Sequence, residues 1–159
     1  MTEDEIKVAL KLLQDDENYY GEFGKQFLSN SNIRSLLNDP LSFNQPIKDN
    51  PNLIIGKYFH TLILEPDKLE NIKIIDASTR NTTKYKELSE GEMCLLQHEA
   101  DQIHLLRDTI LDNDVARDLI QDIDVEYEVP GLIILGEWFK LKADIKNNTL
   151  SLVVDLKTT

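Results

Sequence analysis

Cysteine is almost absent from the chain: Cys94 is the only one. One thiol makes no intrachain disulfide and cannot supply a zinc-thiolate or iron–sulfur cluster within one chain. It reads as a small buried thiol on a helix. Long apolar runs are missing too. Leu132 to Leu135 and Leu62 to Leu64 fall far short of the roughly 20 residues a membrane-spanning helix needs. The opening Met1-Thr2-Glu3-Asp4-Glu5 is acidic and lacks the basic-then-apolar order of a signal peptide. A cytoplasmic location with no membrane partner is therefore expected. Positive charge is scarce: 17 Lys and Arg stand against 29 Asp and Glu, a net charge of -12. That excludes a general basic nucleic-acid binder. It does not exclude a metal-dependent nuclease, whose cation ligands are acidic by necessity and whose bound cation offsets them locally. Internal repeats and low-complexity segments are also lacking.

What remains is an ordinary globular composition, 41% hydrophobic and 29% charged over 159 residues, enough for one domain with a core. Thr2 followed by Glu5 makes a capping box for a helix through Ile6, Ala9, Leu10 and Leu13, to Gln14. Tyr19 to Gly24 reads as a loop. Ser29-Asn30-Ser31 caps a short helix through Ile33, Leu36 and Leu37 that stops before Pro40. Residues 44–52 read as loop. Pro51 opens a helix that Glu65-Pro66 ends. Ile72 to Ile75 is a short strand candidate, and residues 76–90 are ambiguous. Glu92 to Leu111 reads as one long helix and Asp114 to Gln121 as another. From Val125 the period switches to two, predicting three strands near 125–135, 138–146 and 151–157.

The last two strands carry the chemistry. Leu141-Lys142-Ala143-Asp144 is followed by Val153-Val154-Asp155-Leu156-Lys157. Alternation sends Asp155 and Lys157 to one face and Leu152, Val154 and Leu156 to the other. With a four-residue loop over 148–151, Asp144 lies opposite Asp155 and the carboxylates approach to roughly 5 Å at Cβ. A tighter turn centred on Asn147-Asn148 sets Asp144 against Ser151 and parts the acids by about 13 Å. Only the looser turn lets two carboxylates share an ion. Mg²⁺ takes oxygen ligands and keeps several waters, so two carboxylates and a backbone carbonyl suit it. Lys157 is then placed to orient an attacking water or to stabilise charge on a phosphate. Gly56 and His60 share a helix face four residues apart, with the glycine allowing close packing beside the histidine. Glu126 precedes Asp144 on the neighbouring strand.

The order His on a helix, Glu, Asp, then Asp-x-Lys resembles the RecB-like branch of the PD-(D/E)xK nuclease superfamily, closest to phage exonucleases of RecE type. The matching segments are Leu28-Ser29-Asn30-Ser31-Asn32-Ile33 with Asp39-Pro40, Gly56-Lys57-Tyr58-Phe59-His60 through Leu64-Glu65-Pro66, Leu141-Lys142-Ala143-Asp144, and Val154-Asp155-Leu156-Lys157-Thr158-Thr159. The resemblance implies an α+β fold with a restriction-endonuclease-like core: a helical N-terminal half packed on a three-stranded antiparallel meander. It implies a single nuclease domain over 1–159, with residues 1–50 a helical region and 51–159 the nuclease core. His60, Asp144 and Asp155, with the Leu156 carbonyl, would ligate Mg²⁺ or Mn²⁺. Lys157 would be catalytic, with Glu126 near the metal. The implied activity is exonucleolytic digestion of double-stranded DNA ends. A single-strand annealing protein is the implied partner, and a homo-oligomer the implied assembly.

Two positions depart from the family pattern. Ala143 stands where Pro is usual. Thr159 closes the sequence directly after the Asp-x-Lys strand, where the family continues with a helix bearing a Gln/Tyr motif and a further strand. A core truncated at its C-terminus is expected, with an exposed sheet edge. The alternative reading is a catalytically incomplete remnant, using its acidity to bind a partner or to mimic DNA.

Overall fold

A computed structural model of the chain describes residues 2–43, 45, 49–121, 125–126, 131–134, 136–147 and 150–158. Seven α-helices and seven strands occur among these residues. In chain order they are α1 (Glu3–Leu13), α2 (Asp16–Tyr20), α3 (Asn30–Asn38), α4 (Pro51–Leu64), β1 (Ile74–Ile75), α5 (Thr83–Ser89), β2 (Leu95–Leu96), α6 (Gln97–Leu111), α7 (Asp114–Gln121), β3 (Val125–Glu126), β4 (Gly131–Ile134), β5 (Glu137–Lys140), β6 (Ile145–Asn147) and β7 (Leu152–Val154). The fold is thus mixed helix and strand. Of the link expected over 44–52, residues 44 and 46–48 lie outside the described residues, and Pro51 and Asn52 already belong to α4. No helix among the described residues is long and apolar enough to cross a membrane.

The chain divides into two compact units, one of residues 1–46 with 124–154, the other of residues 47–123 with 155–159. In the first, α1 starts as its capping box dictates: the Glu5 amide donates to the Thr2 hydroxyl at 3.3 Å and the Thr2 amide to the Glu5 carboxylate at 2.6 Å. Ala9 and Leu13 on its inner face join Tyr19 and Phe27 in a buried cluster, with Phe23 and Trp138 packed against it. Tyr19 and Tyr20, expected to open a loop, instead end α2. Asp15 accepts the Glu17 amide at 2.8 Å and starts α2, which carries the Tyr19 ring into the core. Tyr19 burial pushes its phenol pKa up to about 12. α3 is capped by Ser29 and ends before Pro40 as expected.

The three predicted strands are in fact five. Gly136, at φ +85°, turns the chain where no L side chain sits comfortably, and β4 and β5 pair as a separate antiparallel hairpin. The outer edge of β5 is bridged by Leu28, whose amide donates to the Trp138 carbonyl and whose carbonyl accepts from the Lys140 amide, each at 2.8 Å. Residues 141–144 leave the ladder, with the Lys142 ammonium held by Asp16. A three-stranded antiparallel sheet does form, but in the order β3-β6-β7.

In the second unit, Asn50 caps α4 by accepting the Leu53 amide at 3.1 Å. The helix buries Tyr58, Phe59 and Leu62 against Leu95, Ala100, Ile103 and Leu156. The helix predicted from Glu92 starts only at Gln97. Leu95 and Leu96 are extended and pair in parallel with Ile74 and Ile75 of β1, respectively, and Glu99 reaches back to accept the Leu96 amide at 2.9 Å. Cys94 is buried, as expected, but it precedes β2 instead of riding a helix. Burial pushes its thiol pKa up, which keeps it unreactive.

Candidate functional site

The Asp-x-Lys segment lies just past β7, which ends at Val154 and not near 157. Alternation nevertheless persists through it. The Leu156 side chain is buried among α4 residues, while Asp155 and Lys157 face solvent and pair with each other, Nζ to Oδ2 at 2.8 Å. An ion pair this exposed contributes little to stability. It does hold ammonium and carboxylate on one side of the segment. Leu156 is therefore an anchor: its side chain fixes the backbone whose carbonyl was expected to serve as a ligand.

The helix bearing His60 adjoins this segment. A Cβ added at Gly56 would meet the Thr158 hydroxyl oxygen at 3.6 Å, so α4 and residues 156–158 are neighbours across about a hundred residues of chain. His60 is half-buried, its ring 6.1 Å from that of Phe59 and nearly perpendicular to it. The 3.6 Å separation is an ordinary contact, so close packing does not by itself demand glycine here. Gly56→Ala should raise stability by about 0.5–1 kcal/mol through helix propensity, read by urea denaturation.

The strand register is the looser of the two expected. Ile145 pairs with Val154, Lys146 with Val153 and Asn147 with Leu152. Sequence reasoning missed the residue behind this choice. Asn147 is fully buried, and its side-chain oxygen accepts the Leu150 amide at 2.9 Å. That bond closes a wide turn, completed by Ser151 in the left-handed region at φ +53°. The signal was the Asn147-Asn148 pair, which favours turns of either width. Asn147→Ala should cost about 2 kcal/mol, because it strands a part-buried amide; urea denaturation of both proteins measures it.

Glu126 lies on β3, opposite Lys146 in the ladder. Glu126 and Asp144 belong to the first unit, and His60, Asp155, Leu156 and Lys157 to the second. Among the described residues no group of three or more His, Cys, Asp or Glu side chains is gathered to hold a metal ion. The donor chemistry of the expected set, one imidazole, two carboxylates and a carbonyl, does suit a hard divalent cation.

A second polar cluster, also missed, falls in the ambiguous stretch and beyond it. Arg80 donates through two nitrogens to Glu99, at 2.7 and 2.6 Å, and to the Cys94 carbonyl at 3.3 Å. The Tyr85 hydroxyl donates to that carbonyl at 3.0 Å and accepts the Cys94 amide at 2.8 Å. Burial opposes ionisation of Glu99, but Arg80 and the Leu96 amide win and hold its pKa below the ordinary value. The Thr82 side chain, which accepts the Tyr85 amide at 3.2 Å, was the available sign that α5 begins here.

No protein-family model, curated protein or solved structure matches this chain.

Proposed function

We propose that the chain is a metal-dependent DNA exonuclease of the RecB-like PD-(D/E)xK type, hydrolysing phosphodiesters at double-stranded ends. The observation that carries this reading is the packing within the second unit. Leu156 sits among Tyr58, Phe59 and Leu62 of α4, and Thr158 stands beside Gly56. The His-bearing helix and the Asp-x-Lys segment, distant in sequence, are thereby neighbours. The β6–β7 register is also the one that a shared ion between Asp144 and Asp155 requires.

On this reading His60, Asp144, Asp155 and the Leu156 carbonyl hold Mg²⁺ or Mn²⁺, with Glu126 nearby. The cation would supply Lewis acidity toward the phosphate and a water of lowered pKa. Lys157 donates from Nζ to a non-bridging phosphate oxygen, offsetting the charge that grows there. Its pairing with Asp155 keeps that ammonium on the ligand side of the segment. An annealing protein and a homo-oligomer remain the proposed partners.

The test is Mn²⁺ calorimetry on the native chain and on Asp144→Ala, followed by incubation of linear duplex with Mg²⁺. The expected results are a bound ion that the variant loses and progressive shortening of the duplex. Equal heats from both proteins would remove the site.

A second reading has its own support. The net charge is -12 and no ion cage is gathered among the described residues. It makes the chain a non-catalytic acidic protein that binds a partner or mimics DNA. It predicts no cleavage, and competition with duplex for a DNA-binding protein.

A further inference from the structure

We propose that the outer face of α1 is a docking groove for a basic amphipathic helix of a partner protein. This inference is independent of the nuclease reading. α1 uses Ala9 and Leu13 for its own core, yet it carries a second apolar stripe. Val8 is 59% exposed and Leu12 39% exposed. They stand one turn apart on the same face, and Asp4 stands one turn before Val8. Phe23, Gln26 and Phe27 form the facing wall of a groove of about 440 Å³.

Val8 and Leu12 leave apolar surface on the solvent side of α1, beside Phe23, which is itself only partly buried. The groove is lined mainly by apolar side chains, with a few polar groups at its acidic end, the character of a surface that receives apolar side chains. An apolar helix stripe set beside aromatic side chains suits a second helix presenting anchors at i, i+3 or i+4, and i+7.

Charge chooses the occupant. The groove is lined by two acids, Asp4 and Glu5, and by no Lys or Arg. Glu5 stays ionised, because its hydrogen bonds with the Thr2 backbone and hydroxyl lower its pKa. Asp4 has a 4.0 Å approach from Lys7, with both side chains exposed. The chain as a whole carries -12. A second copy of this chain would bring like charge to the acidic end, whereas a helix with lysines flanking its leucines complements it.

The experiment uses the full chain and a fluorescein-labelled 14-residue synthetic peptide with leucines at helical spacing and lysines between them. Fluorescence anisotropy should show saturable binding. A peptide of equal composition with scrambled leucine spacing should bind at least tenfold more weakly, and so should one with glutamates for lysines. Val8→Asp should weaken binding at least tenfold and Asp4→Lys three- to tenfold, with circular dichroism unchanged. Should Val8→Asp fail to fold, Val8→Ser replaces it, with a three- to tenfold loss expected. Equal binding of the scrambled peptide, or no loss in the Val8 variant, would overturn the proposal. So would a dimer, seen by sedimentation, that Val8→Asp dissociates, because the groove would then belong to a second copy.

Discussion

Lys157→Ala should leave Mn²⁺ binding within a factor of two and slow degradation of linear duplex about 100-fold or more. An ammonium is no metal ligand, so the cation has no reason to leave with it. Removing a donor aimed at developing charge in a phosphoryl transition state costs on the order of 10²–10³ in rate. The geometry makes the variant clean. The Lys157 side chain is 75% exposed, so truncating it opens no cavity. The anchor of the segment is Leu156, which points the other way into the α4 cluster. The substitution does release Asp155 from its ion pair, so any change in metal affinity should be a slight tightening. Single-turnover cleavage alongside calorimetry separates the two effects. Unchanged turnover with unchanged metal binding would remove Lys157 from the chemistry. Loss of metal binding would mean that the variant had disturbed the ligands and not a catalytic group.

The parts of the structure legible in the sequence are those governed by neighbours in the chain. The Thr2–Glu5 box, the Ser29 cap, Pro51 as opener, Glu65-Pro66 as stop and the stop before Pro40 set α1, α3 and α4 within a residue or so, because such signals act over three or four residues. The alternation of Asp155, Leu156 and Lys157 was legible for the same reason. Tertiary pairing explains most of what was not. Leu95 and Leu96 continue the apolar period of α6, and only the presence of β1 pulls them into a strand. Residues 141–144 alternate like a strand, yet the Lys142 ammonium is drawn to Asp16, distant in sequence. The β6–β7 register was legible only as two alternatives, and burial of Asn147 decides between them. The site shows the same limit. The expected site residues are scattered along the chain, with Glu126 and Asp144 in one compact unit and His60, Asp155, Leu156 and Lys157 in the other, and local spacing carries no information on residues so far apart in sequence.

The largest effect on stability is expected at Arg80 and Glu99. Arg80→Met or Glu99→Gln alone should cost about 3 kcal/mol, the lower end of what removing one partner of a buried pair costs. The two side chains are 19% and 13% exposed, so whichever charge is left behind is poorly solvated. The double variant Arg80→Met with Glu99→Gln should be far milder than the sum. It leaves no buried charge, and the glutamine oxygen can still accept the Leu96 amide. A coupling of about 2 kcal/mol or more in the double-mutant cycle is the expected result. Guanidinium is also imperfectly satisfied here, since the Arg80 Nε is buried without a hydrogen-bond partner, and this further favours the neutral pair. The pH dependence supplies an independent check. The Glu99 carboxyl is held below its ordinary range in the folded state, so the unfolded chain takes up a proton first as pH falls. The pair's contribution is therefore fully present above the unfolded glutamate pKa of about 4.3 and is lost as pH drops through the lower folded value. Urea denaturation at neutral pH and at steps below pH 4.5 should show the native chain and the double variant converging toward acid. Additive single losses with parallel pH curves would show that Arg80 and Glu99 act separately, and that β2 and the start of α6 are held by their apolar contacts alone.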